Sequence, residues 1–191
     1  AVSYKNYRIS TGYQVVLIDV DDLYNQFGYG IQKHPYAIHN FIEYASKEWS
    51  IKPEYIFIIG KGLHSNITRK NTTSYANSLV PSIGHPSSDF LFTADLHGTS
   101  LKQKAAIGRI AASTGTKIDA YRSKVAEHES AVPSEWMKTI MHFGGGSTIG
   151  EQRLIKTYLK NYETIISGEF FGADVTTFLK SSSTVFEKTE P

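Results

Sequence analysis

The chain has 191 residues, a formal net charge of +2, 40% hydrophobic and 13% aromatic residues, and no cysteine. That apolar content is enough to build a core and excludes global disorder. The missing cysteine excludes disulfides, thiolate metal sites and a cysteine nucleophile within these residues. Lys and Arg are scattered, so the concentrated basic stripe of a nucleic-acid surface is absent, and no apolar run approaches the roughly 18–20 residues that span a bilayer. The opening Ala1-Val2-Ser3-Tyr4-Lys5 is not a signal peptide.

In chain order, Val15-Val16-Leu17-Ile18 is an apolar β-branched run and reads as a strand buried on both faces. Asp19, Asp21 and Asp22 close it. Pro35 suits the first turn of a helix, whose stripe is Ile38, Phe41, Ile42, Ala45 and Trp49. Tyr55-Ile56-Phe57-Ile58-Ile59 is a second strand, ended by Gly60-Lys61-Gly62, and the pair predicts a right-handed β-α-β crossover. Residues 63–88 are polar and read as a long loop. Phe90–Ala94 and Ala105–Ile110 are further candidate strands.

Thr114 or Thr116 caps a helix that carries Ile118, Tyr121 and Val125. Ala131-Val132-Pro133-Ser134 is a joint. Thr139–Phe143 then makes a strand that stops at Gly144-Gly145-Gly146. The next helix has an apolar stripe at Leu154, Ile155, Tyr158, Leu159, Tyr162, Ile165 and Ile166, and Val175–Phe178 is a last short strand. The alternation predicts an α/β protein with a mostly parallel sheet flanked by helices.

Few residues gather into recognisable chemistry. Asp19, Asp21 and Asp22 are weak candidates for a hard cation beyond a strand end. Asp19-Val20-Asp21 also has the order of a magnesium-dependent haloacid-dehalogenase-type phosphatase, although Asp22-Leu23-Tyr24 follows where a small hydroxyl residue is usual. The plain alternative is a solvated strand end with one carboxylate capping a turn. Gly144–Gly146 before Ser147-Thr148 offers amides to an anion, but the spacing fits no phosphate-binding fingerprint.

The seven histidines show no paired metal spacing; His64 and His97 lie in loops after candidate strands and are open as ligands or as plain exposed residues. Ser87 and Ser88 beside Asp89 lack a nucleophile elbow. Arg109, at the end of an apolar run, needs a carboxylate or carbonyl partner; a structural ion pair with Asp89 or Asp95 is preferred to a substrate contact.

The segments Val16–Gly30, His34–Phe41, Lys52–Gly60, Val80-Pro81-Ser82, Ser88-Asp89-Phe90, Ala106–Ile110 and Ala126–Glu129 with Trp136 resemble, in this order, the gingipain-type cysteine peptidases. The likeness runs over about residues 14 to 143. It implies a caspase-like architecture: residues 1–130 as one complete α/β subdomain and 131–191 as the start of a second, catalytic one, truncated before its catalytic residues. The implied function is proteolysis by a secreted endopeptidase, with this segment inactive because the family's His and Cys are not on it. A non-catalytic module in secretion or interaction is the alternative.

The resemblance implies several further expectations. Partners are the rest of the catalytic domain and a peptide or protein substrate, with no nucleic acid. Location is secreted or at the cell surface and outer membrane, as for family members in Bacteroidota-like bacteria such as the type IX secretion sortase. No cofactor is fixed by the residues, and calcium in the full-length protein stays open. Lys61 departs from the family, which commonly has an aspartate there, and this puts a cation site at that place in doubt.

Overall fold

The computed structural model describes residues 1–96, 98, 102–180 and the backbone of 186–188. The chain divides into two compact units, Ala1–Glu129 and Ser130–Pro191.

In the first unit, β1 (Tyr55–Ile59) pairs in parallel with β2 (Ala106–Ile110), with Tyr55 opposite Ala106 and Ile59 opposite Ile110. Alternation along β1 sends its side chains to two helical layers. Ile56 and Ile58 face α2 (Val20–Phe27) and α3 (Pro35–Glu48), where Leu23, Tyr24, Ile38 and Ile42 form the core with Val80, Ile83 and Phe92. Phe57 faces the other way, its ring 4.9 Å from Tyr4 on α1 (Val2–Ser10) and 5.7 Å from Tyr121. Tyr121 lies on α6 (Gly115–Ser130), whose start is capped by the Thr114 hydroxyl accepting from the Lys117 amide.

Pro35 occupies the first turn of α3, where its missing N–H costs nothing. Asp19 starts α2 by accepting from the Asp21 amide at 3.0 Å. Two sequence expectations fail beside these. Val15–Ile18 is not a strand: it joins no ladder, and Val16 is 65% exposed. An apolar run is only fitted to be a strand, and it needs a neighbour to bond; among the described residues the one ladder β1 makes is with β2. The predicted crossover from that run into β1 is therefore replaced by the β1–β2 pair.

Phe90–Ala94 is not a strand either. Asp89–Phe92 is a 3-10 turn that buries Phe92 completely, and Ala94 makes a single bridge to Gln103. Residues 63–88 hold two short helices within the expected loop, α4 (Ser65–Thr68) and α5 (Thr72–Asn77), the latter capped by Asn71.

In the second unit, β3 (Thr139–Gly144) runs parallel to β4 (Asp174–Lys180), connected through α7 (Ile149–Ile166), and β5 (Phe186–Lys188) adds antiparallel to β4. Gly144 lets α7 close on the sheet: a Cβ there would stand 2.9 Å from Leu159 and 2.6 Å from Leu179. The predicted stripe of α7 splits. Ile155, Leu159 and Ile166 are half-buried, whereas Leu154, Tyr158, Tyr162 and Ile165 are exposed. One line of side chains suffices to cover a narrow sheet. No helix among the described residues is long and apolar enough to cross a membrane.

Candidate functional site

In a parallel α/β unit the chemistry-bearing end is the carboxyl end of the strands. In the first unit that end is built around Arg109. Its Nε donates to Asp89 Oδ2 and its Nη2 to Asp89 Oδ1, both at 2.7 Å. Nη1 donates to the carbonyls of Gly60 at 2.8 Å and Val80 at 2.9 Å, and Nη2 to that of Pro81 at 2.9 Å. All five guanidinium N–H groups are used inside the fold. Arg109 thus has no donor left for a substrate; it binds the end of β1, the strap at 79–82 and the 3-10 turn at Asp89 into one body.

Gly60 enters this body at φ +146°, and a Cβ on it would meet Val80 Cγ2 at 2.7 Å. Lys61 holds the strap by its main chain, its carbonyl accepting from the amides of Leu79 and Val80. Its side chain is exposed at the carboxyl end. Behind the strap Tyr24 is buried, its hydroxyl has no partner among the described residues, and burial raises its pKa.

The three aspartates take other places than a strand end. Asp19 is the N-cap of α2, and Asp21 and Asp22 sit in the helix's first turn. Among the described residues no three His, Asp or Glu side chains come together as a cation cage. One oxygen of Asp19 is committed to the cap.

The glycine turn before α7 does bind an anion, but its own. Glu151 Oε2 accepts from the amides of Ser147 at 2.7 Å and Thr148 at 3.1 Å, while Thr148 Oγ1 accepts from the Glu151 amide. These backbone bonds hold the Glu151 carboxyl below its usual range. The spacing Thr148-x-x-Glu151 is a capping-box signature readable in sequence, and the anion-cradle reading overlooked it.

Of the histidines, His39 is buried in α3 with Nδ1 3.2 Å from the Phe92 carbonyl. His142 lies on β3, half-buried. His97 lies outside the described residues. His64 and His85, from different loops, meet with Nε2 and Nδ1 2.9 Å apart; 21 residues separate them and no motif signals the contact. Ser87 and Ser88 are exposed, and Ser88 donates its amide to the Ile83 carbonyl.

The family model for peptidase family C25, the gingipain family, matches residues 1–189. The chain belongs to this peptidase family. Parallel strands flanked by helices are compatible with the caspase-like fold of family C25. No curated protein and no solved structure matches the chain. Family C25 membership makes it a gingipain-like hydrolase chain of the cysteine-peptidase type and implies protein substrates.

Proposed function

We propose that this chain is the scaffold of a secreted gingipain-type cysteine endopeptidase and supplies no catalytic nucleophile itself. One observation carries the reading: the family match spans residues 1–189, yet those residues contain no cysteine. The family's reaction needs a thiolate to attack the peptide carbonyl and a histidine to carry the proton. The thiolate would come from residues outside this sequence. The part assigned here is mechanical: Arg109 and the strap at 79–82 make the carboxyl end of the first unit rigid, as a site held to productive geometry requires.

A second reading is favoured by Lys61. Where the resemblance expects an aspartate, an exposed ammonium stands at the carboxyl end of β1, which suits a non-catalytic module for secretion or interaction. The two readings separate on the product of the complete reading frame, assayed on fluorogenic peptides with a reductant present. Turnover abolished by iodoacetamide supports the peptidase; a folded, exported product without turnover supports the module.

A further inference from the structure

We infer that His64 and His85 form a proton-sensitive clasp that holds the loop at 82–88 to the loop after β1 while the His85 imidazole is neutral. His64 Nδ1 accepts the backbone N–H of Asn66 at 3.0 Å. A backbone amide can only donate, so that nitrogen carries no proton, and the proton of the neutral ring is on Nε2. Nε2 then donates to His85 Nδ1 at 2.9 Å, with the rings tilted 73° to each other. His85 in turn keeps its own proton on Nε2, at the exposed side.

Each ring's free lone pair is therefore already an acceptor. A second proton on His64 goes to Nδ1 and expels the Asn66 amide. One on His85 goes to Nδ1 and sets two N–H groups against each other. The second event breaks the bond between the two rings, whereas the first frees the Asn66 amide and leaves Nε2 donating to His85. Imidazole is the side chain that takes up this proton between about pH 5 and 8.

The inner rungs between these loops do not titrate. Leu79 and Val80 donate to the Lys61 carbonyl, the Leu63 amide donates to Ser78 Oγ at 3.1 Å, and Ser82 Oγ donates to the Leu63 carbonyl at 3.4 Å. The histidine pair is the outermost rung. The charged residues on the same stretch of chain are Lys61, Arg69 and Lys70, and the Arg109–Asp89 pair lies against Gly62. No Asp or Glu occurs between Tyr55 and Ser88, and Asp89 is held by Arg109.

A metal ion does not fit the same atoms as well. Coordination through His64 Nε2 would require the proton on Nδ1, against the Asn66 amide.

The test is made on the 191-residue chain. Long-range proton–nitrogen NMR of the imidazoles at pH 7.5 is expected to show both rings protonated on Nε2 alone; a proton on Nδ1 of either ring overturns the clasp. Hydrogen exchange at Asn66 and Ser88, corrected for intrinsic rates, is expected to lose at least tenfold protection between pH 7.5 and pH 5. His64→Asn preserves an acceptor for the Asn66 amide but removes the Nε2 donor, so Ser88 exchange should become independent of pH. His85→Ala gives the same readout from the other side. Persistent pH dependence at Ser88 in the folded variants overturns the proposal, as does zinc raising protection in the parent chain but not in them.

Discussion

Arg109 holds Asp89 in a two-bonded, side-on pair, with both N–O distances 2.7 Å and both side chains largely buried. Removing either partner leaves the other as a poorly compensated charge. Arg109→Leu also deprives the carbonyls of Gly60, Val80 and Pro81 of their donor. The expected loss of stability is about 3–5 kcal/mol. Arg109→Lys should recover little, since one ammonium cannot span these five bonds. Urea denaturation reads the result, and a loss below about 1 kcal/mol would place the pair in the weak class of surface ion pairs.

Tyr4 ties α1 to the sheet through its ring contacts with Phe57 and Tyr121, 4.9 Å and 5.8 Å between centroids. Tyr4→Ala should cost about 3 kcal/mol, the scale of removing a buried aromatic ring. The neighbouring bonds of Tyr7 and Arg8 to Glu129, at 2.5 Å and 2.6 Å, anchor the same helix to the end of α6. Rapid proteolysis within residues 2–10 of the variant, with the rest resistant, is the accompanying expectation. An unchanged digestion pattern would show that those outer bonds hold α1 without the ring.

Glu151 gives a pH dependence of known sign. The amides of Ser147 and Thr148 lower its folded pKa, so its contribution is present in full above the unfolded value, about 4.3. It is lost as pH falls through the lower folded value. Glu151→Gln should therefore destabilise the chain at neutral pH and make less difference at about pH 3. Thr148→Ala, which removes the other half of the capping box, should cost about 1 kcal/mol. Denaturation midpoints of the three proteins at both pH values check this; an effect of Glu151→Gln that grows toward acid would reverse the assigned sign.

Gly60 combines positive φ with close contact. Gly60→Ala should cost about 2 kcal/mol in stability. Adding Val80→Ala removes the clash with Val80 Cγ2 but leaves the backbone at φ +146°, so the double variant should not return to the stability of Val80→Ala alone. Full recovery in thermal melts would mean that space, not backbone conformation, selects glycine.

What could be read from the sequence was local. Pro35 at a helix start, the runs that became β1 and β3, and the Thr114 cap depend on neighbours a few residues away. Val15–Ile18 and Phe90–Ala94 do not form the expected strands because a strand depends on a partner backbone, which apolar content does not disclose. The long-range contacts were legible only as needs. Arg109 demanded a carboxylate, but nothing in the spacing disclosed the three carbonyls that complete its shell. The meeting of His64 with His85 depends on the strap at 79–82, which a linear reading cannot place.

The nucleophile of this family C25 chain is proposed to lie outside these residues. The direct measurement is hydrolysis of a fluorogenic peptide library by the 191-residue chain and by the product of its complete reading frame, each with reductant and with or without iodoacetamide. No turnover by the chain and iodoacetamide-sensitive turnover by the complete product are expected. Turnover by the chain alone, or turnover by the complete product that iodoacetamide leaves untouched, would contradict that placement.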